Sequence, residues 1–218
     1  MRFLAIIVIV LITGRCATAE DNSPQQLSEP SACELRLANI ATFKRLPMQR
    51  GSGSGSCEVN EVVRLETIIM RDKSHVTVRP AATLRCGMAE SLAHWVRDDL
   101  ASTTTIFGSP LAEIANYDSF NCRSRNRIEG AQLSEHSKAN AIDIRAFKLK
   151  NSIVIEPTNP MITKTFREMM RRTACQRFRT VLGPGSDGYH ESHVHLDLAE
   201  RPRGYRICQW RVHETPSQ

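Results

Sequence analysis

Apolar and polar positions along this chain alternate with two different periods. Residues 62–70 (VVRLETIIM) and 75–78 (HVTV) are rich in β-branched side chains and are joined by the polar run Arg71-Asp72-Lys73-Ser74, a pattern that predicts a β-hairpin. Residues 87–100 place Met88, Leu92, Trp95, Val96 and Leu100 at helical spacing, which predicts a helix with Trp95 in the core. A second helix is predicted over 163–178, with Phe166, Met169, Met170, Ala174 and Phe178 on one stripe and Arg171, Arg172 and Arg177 along a solvated edge. Short β-like runs cover 141–147, 152–155, 179–182 and 193–198. In the last run His193, His195 and Asp197 share one strand face, while Val194, Leu196 and Leu198 share the other. Helices early and late around such strands predict an α+β fold, a small antiparallel sheet flanked by helices.

The first apolar run has a different meaning. Residues 3–12 are almost purely apolar, Arg2 precedes them and Ala17-Thr18-Ala19 follows, the three parts of a secretory signal cleaved before Glu20. The run is about half of the roughly 20 residues that a membrane span needs. Lipoprotein processing at Cys16 is the alternative, with Arg15 where a small residue is normally wanted. The chain thus divides into a signal (1–19), a flexible polar segment (20–32) and one domain (33–211), with the Gly-Ser tract at 51–56 as a flexible loop inside it.

Cleavage removes Cys16 and leaves Cys33, Cys57, Cys86, Cys122, Cys175 and Cys208, an even set without a C-x-x-C pair. In an exported chain these are expected to form disulfides. Chain proximity suggests Cys33–Cys57, Cys86–Cys122 and Cys175–Cys208. A periplasmic or secreted protein without a stable membrane anchor follows from the same signal. Loss of Arg2 and Arg15 takes the formal charge from +6 to +4. The remaining basic residues are scattered and aromatics are few, which argues against a nucleic-acid partner.

Chemistry concentrates in two places. Ser134-Glu135-His136-Ser137-Lys138-Ala139-Asn140-Ala141-Ile142-Asp143 carries a histidine in a loop and an aspartate in the strand after it. The second place is Tyr189-His190-Glu191-Ser192-His193-Val194-His195-Leu196-Asp197-Leu198. His136, Asp143 and His195 offer two imidazoles and a carboxylate to one ion and leave a coordination position open, the pattern of a catalytic zinc site. His193 is expected beside the metal as a transition-state stabiliser and His190 as a proton shuttle, with Glu191 and Glu135 as rival bases. Arg123 and Arg127 are candidates to hold a substrate carboxylate, and Asp197 to orient an imidazole. Ser134 is expected to fix the loop. His75, His94 and His213 receive no role. Gly183-Pro184-Gly185-Ser186-Asp187-Gly188 matches G-x-G-x-x-G but precedes a strand and not a helix, so it is a turn. No G-x-S-x-G and no H-E-x-x-H is present.

Ser134-x-His136-x-x-Ala139-x-Ala141-x-Asp143 with His193-x-His195 resembles the motif pair of the LAS metallopeptidases, a group of lysostaphin-type enzymes, D-Ala-D-Ala peptidases and hedgehog-like domains. The runs Leu84–Ala89, Ser134–His136, Thr180–Gly185 and His193–Leu198 are more closely similar to bacterial extensin-like C-terminal domains, over about residues 33–211. His190-x-x-His193-x-His195 also resembles the spacing of penicillin-insensitive murein endopeptidases, which implies that the first two histidines flank the metal. These resemblances imply Zn²⁺ on His136, Asp143 and His195, and a peptidase acting on peptidoglycan stem peptides or cross-links as a D,D-endopeptidase or carboxypeptidase. A non-catalytic envelope protein that binds wall peptides or carries a structural metal is the alternative, with Asp197 or Glu191 as a fourth ligand. One position departs from the LAS pattern: Ala139 stands where glycine is usual, which matters if φ is positive there.

Overall fold

The computed structural model describes residues 29–51 and 57–212. The expected signal, residues 20–28 of the flexible segment, residues 52–56 of the Gly-Ser tract and His213 lie outside the described residues. In chain order the elements are α1 (Ala32–Leu37), β1 (Ala41–Leu46), β2 (Gln49–Gly51), β3 (Cys57–Val59), β4 (Val62–Ile69), β5 (His75–Arg85), α2 (Cys86–His94) and α3 (Ala101–Thr104). They continue with β6 (Leu111–Asp118), β7 (Ala141–Leu149), β8 (Val154–Ile155), α4 (Lys164–Arg177), β9 (Thr180–Leu182), β10 (Val194–Asp197) and β11 (Ile207–Gln209). Ser31 caps α1 through a reciprocal capping box with Glu34, so the first helix begins at Ala32, just before the expected domain start.

The expected hairpin forms as β4 and β5, although β5 runs on to Arg85. The first expected helix is α2, continued by a π-helical turn over Trp95–Leu100 and then by α3. The second is α4, in which Phe166, Met170 and Ala174 are buried. Its arginine edge is only partly a free solvated face: Arg171 pairs with Glu168 at 2.8 Å and Arg177 with Asp99 at 2.7 Å. Arg167, which the pattern did not single out, is 2 % exposed and donates to the carbonyls of Ile162 and Pro160.

The sheet overturns the expectation of a small antiparallel one. Nine strands form it, in the order β1-β4-β5-β6-β7-β10-β9-β11 with β8 added on β7, and β2–β3 make a separate pair. The β5–β6 and β9–β11 pairs are parallel, so the sheet is mixed. Two of the missed strands, β1 and β6, have a broken alternation. Leu111 and Ile114 of β6 both face inward at a spacing of three because register shifts interrupt its pairing with β7, and a bulge moves one residue out of the two-residue period. A further shift between Thr42 and Phe43 does the same to β1.

One sheet face is apolar and carries the helices. Val63, Leu65, Ile142, Ile144, Val194 and Leu196 share a core with Met88, Leu92 and Val96 of the first helical stretch and Phe166 and Met170 of α4. Trp95 is 1 % exposed and meets Phe147 and Phe178 edge-on, with ring centroids at 6.1 and 5.7 Å. Its indole N–H donates to Thr173 Oγ1 at 3.1 Å. The expected core role of Trp95 is therefore what the structure has.

All six described cysteines are disulfide-bonded, as Cys33–Cys86, Cys57–Cys122 and Cys175–Cys208. Chain proximity gives the last pair and misassigns the other two. Cys33 sits in α1, which packs on α2 and so meets Cys86 at its first turn. Cys57 on β3 instead meets Cys122, in the loop that leads from β6 towards the site.

Candidate metal centre and its cleft

The alternation of β7 and β10 builds the site. Ile142 and Ile144 go to the core, so Asp143 takes the opposite face; Val194 and Leu196 do likewise for His195 and Asp197. Antiparallel pairing sets His195 directly across from Asp143. His136 arrives from a 3₁₀ turn over Glu135–Lys138, whose N-cap Ser134 accepts the His136 backbone N–H at 3.3 Å. Ser134 thus fixes the loop, as expected. The turn ends at Ala139 with φ 51 and ψ 28, the left-handed region where glycine is usual in the resembling motif. The alanine is held there by the 2.7 Å bond from Arg85 N–H to its carbonyl.

Left-handed φ costs an L-residue about 1–2 kcal/mol. Glycine would relieve that but lose a buried methyl of about 0.8 kcal/mol and order a more flexible unfolded chain at about 0.4–1 kcal/mol. Ala139→Gly is therefore expected to leave the urea unfolding free energy within about 1 kcal/mol of wild type. A loss above about 2 kcal/mol would show that the methyl group has a packing role beyond its transfer energy.

Three side-chain atoms converge. His136 Nε2 lies 3.2 Å from both Asp143 Oδ1 and His195 Nδ1, and His195 Nδ1 lies 2.9 Å from Asp143 Oδ1. All three residues are buried, at 1 %, 3 % and 7 % exposure. Their outer contacts fix which atom faces inward. His136 Nδ1 is 2.7 Å from the Ser119 carbonyl, which can only accept, so Nδ1 carries the proton and Nε2 presents its lone pair. His195 Nε2 is 3.0 Å from Asp197 Oδ2, so Nε2–H donates there and Nδ1 faces the centre. Asp197 orients an imidazole as expected.

Two imidazole lone pairs and a carboxylate oxygen at this separation repel one another unless a cation or proton lies between them. Four-coordinate zinc with bonds of about 2.0–2.1 Å separates its ligand atoms by about 3.3 Å, close to the triangle found here. The donors are of the N and O type that zinc uses, and the partners behind both histidines are of the kind that ligating histidines keep. The residues present fit the ion.

Charge at the centre is tightly coupled. Burial opposes ionisation of Asp143, but hydrogen bonds and positive charge from His136 and His195 outweigh it and hold the carboxyl well below the usual range. Burial also opposes protonation of His195, yet Asp143 and Asp197 together push it up to about 10 without an ion. A proton therefore competes with a cation for Nδ1. His193 is shifted down, chiefly by burial, with Asp143 opposing and the neighbouring histidines adding to the shift.

A cavity of about 370 Å³ lies over this centre. Its floor includes one cross-strand row: Asp118 of β6, Asp143, His195, Leu182 of β9 and Gln209 of β11 are successive register partners. Five strands at about 4.8 Å spacing make that row about 19 Å long. The cleft thus crosses the strands, with the convergent donors nearer its β6 end.

His193 and His190 both line the cleft. His193 Nε2 is 3.5 Å from Asp143 Oδ2, its ring lies 5.2 Å from that of Tyr117, and its buried Nδ1 has no partner among the described residues. The His190 ring lies 5.1 Å from that of His193 and 5.4 Å from that of His195. Of the rival bases, Glu135 lines the cleft, but its two oxygens meet Lys138 Nζ and Asn140 Nδ2, each at 2.6 Å. Glu191 accepts from Gly185 N–H at 2.9 Å and is not among the lining residues.

Arg123 and Arg127 both line the cleft, joined by Arg125 and Arg201. Arg123 donates to Asp118 Oδ2 at 3.2 Å, and Arg201 donates to Thr180 Oγ1 at 2.8 Å. Among the described residues Arg125 and Arg127 have no carboxylate partner. Sequence reasoning missed Arg125, Arg201, Tyr117, the Ser119 carbonyl and Asp187. Only Asp187 had a legible signal, its place three residues before His190 in a glycine-rich turn.

The chain matches the family described as extensin-like protein C-terminus over residues 31–209. No curated protein and no solved structure matches it. With the match spanning nearly all the described residues, the chain belongs to the extensin-like C-terminal family.

Proposed function

We propose that this extensin-like C-terminal protein is an exported zinc-dependent peptidase that hydrolyses amide bonds in peptidoglycan stem peptides or cross-links. The observation that carries the reading is the convergence of His136 Nε2, Asp143 Oδ1 and His195 Nδ1 within 3.2 Å of one another at the base of a cleft. Three protein ligands with an accessible fourth position are the arrangement of hydrolytic zinc, whereas structural zinc takes four. The candidate fourth ligands are engaged elsewhere, Asp197 behind His195 and Glu191 on Gly185. Export is supported by the three disulfides, since such bonds persist in oxidising compartments.

Zinc held here supplies a Lewis acid that polarises a carbonyl and brings the pKa of water to about 7. His136, Asp143 and His195 would hold it, and Ser119 and Asp197 keep the two imidazoles turned inward. His193, kept neutral by burial, donates an N–H to the oxygen that gains charge as the carbonyl is attacked. His190 takes a proton from the attacking water and returns it to the departing amine. Arg125 and Arg127 offer cationic groups to substrate carboxylates. Glu135 has both oxygens occupied by Lys138 and Asn140, which leaves His190 the better placed of the two.

The test is incubation of purified mature protein with cross-linked and uncross-linked muropeptides, with zinc or with chelator, followed by mass analysis. Zinc-dependent release of a peptide or amino acid is expected, with loss on chelation. If zinc-loaded protein leaves every muropeptide intact, the peptidase reading fails for this substrate class.

A further inference from the structure

The glycine-rich turn before β10 is not spare sequence. Gly183 lies flat against Trp210, where a Cβ would come within 2.6 Å of the indole Cγ. Gly185 and Gly188 have φ of 73 and 81, conformations that other residues adopt at a cost. Between them Asp187 Oδ1 accepts the Tyr189 backbone N–H at 3.0 Å and lies 2.7 Å from His190 Nδ1. The Gly185 N–H to Glu191 contact at 2.9 Å closes the turn from its other end. Chain direction, two positive-φ glycines and a side chain–backbone bond together place one carboxylate behind one imidazole.

We propose that Asp187 is a positioning residue that locks His190 in its Nδ1–H form, leaving Nε2 as the proton-accepting atom over the His136–Asp143–His195 centre. Three observations make this more than a surface contact. His190 is 7 % exposed, its ring packs against those of His193 and His195, and Asp187 itself lines the cleft. An ionised carboxylate has no proton to donate, so a neutral imidazole 2.7 Å away must turn its N–H towards it. The other ring nitrogen is then a lone pair, the form a proton acceptor needs. No bond is made or broken by Asp187; it selects which nitrogen of His190 is available. For its effect on turnover the inference rests on the peptidase reading, but the state of the ring does not.

Two readouts separate them. Long-range ¹H–¹⁵N correlation spectra of ¹⁵N-histidine-labelled mature protein, zinc-loaded and metal-free at pH 8, report the protonated nitrogen of His190 directly. The expected result is Nδ1–H in both forms of the wild type, with a change to Nε2–H in Asp187→Ala and retention in Asp187→Asn, which keeps an acceptor oxygen. Turnover of the muropeptide substrate is expected to fall about 10–100-fold in Asp187→Ala, through kcat, with KM within about twofold. Glu191→Gln, which alters the same turn without touching His190, should leave the His190 form unchanged. A wild-type His190 protonated on Nε2, or an Asp187→Ala spectrum identical to wild type, overturns the proposal whether or not any peptide is cleaved. Wild-type Nδ1–H with kcat unchanged in a folded Asp187→Ala overturns the positioning role alone.

Discussion

Replacing His195 with alanine is expected to abolish zinc retention and muropeptide cleavage while leaving the fold in place. The side chain contributes one of the three convergent atoms and connects two buried carboxylates, at 2.9 Å to Asp143 and 3.0 Å to Asp197. Removal of a ligand should weaken zinc binding by more than the roughly 10–100-fold typical when only the partner behind a ligating histidine is lost. The fold should persist because the core occupies the other sheet face, where Val194 and Leu196 are untouched.

A stability loss in metal-free protein is still expected. Asp197 keeps its bond from Ala199 N–H at 2.9 Å, whereas Asp143, which faces the His136 Nε2 lone pair, keeps only the His193 ring, with Nε2 3.5 Å from its Oδ2. The loss should then be about 1–3 kcal/mol, the range for an unmade buried hydrogen bond. Thermal unfolding with and without zinc separates the two effects. Wild type should gain about 2.7 kcal/mol when free zinc is about 100 times its Kd, and His195→Ala should gain nothing at the same concentration. A variant that holds one zinc per chain with wild-type affinity would remove His195 from the metal centre and require another donor set.

What the sequence showed of this site, and what it concealed, follows from how local each signal is. His195 and Asp197 were legible because β10 alternates strictly and both its faces are occupied, apolar inward and ionisable outward. His136 and Asp143 were legible as one loop-to-strand motif, and the Ala139 departure, which matters only at positive φ, does fall at a positive φ. The breadth of the sheet was concealed because β1 and β6 carry bulges that break the two-residue period. β11 is three residues long, too short for a pattern to accumulate, whereas β9 falls within the expected 179–182 run. Arg125 and Arg201 could not be picked out among many arginines, since only the tertiary fold brings them to one cleft. Two of the three disulfides were misassigned for the same reason: proximity along the chain is not proximity across a nine-stranded sheet.

One of those misassigned bonds carries the second large prediction. Cys57–Cys122 closes 65 residues and fastens β3 to the loop after β6, which supplies the Ser119 carbonyl behind His136 and the guanidinium of Arg123. The same loop is held by Ser137, whose Oγ donates to the Arg123 carbonyl at 2.6 Å and accepts the Arg123 N–H at 2.9 Å. Gly51 lies so close that a Cβ there would clash with Cys122 Cβ. Cys57→Ala with Cys122→Ala is therefore expected to lower the unfolding free energy by about 2–4 kcal/mol and also to weaken zinc binding, because His136 loses part of what fixes its inward nitrogen. The control is Cys33→Ala with Cys86→Ala, which frees α1 from α2 on the core side after closing 53 residues. That pair should cost a similar stability, since the entropy of closure grows only slowly with loop length, but leave zinc affinity within about twofold of wild type. Urea unfolding and zinc titration on both variants decide the matter. Equal losses of zinc affinity in the two would mean that the disulfide near the site contributes global stability alone, and that Ser137 is sufficient to hold the loop.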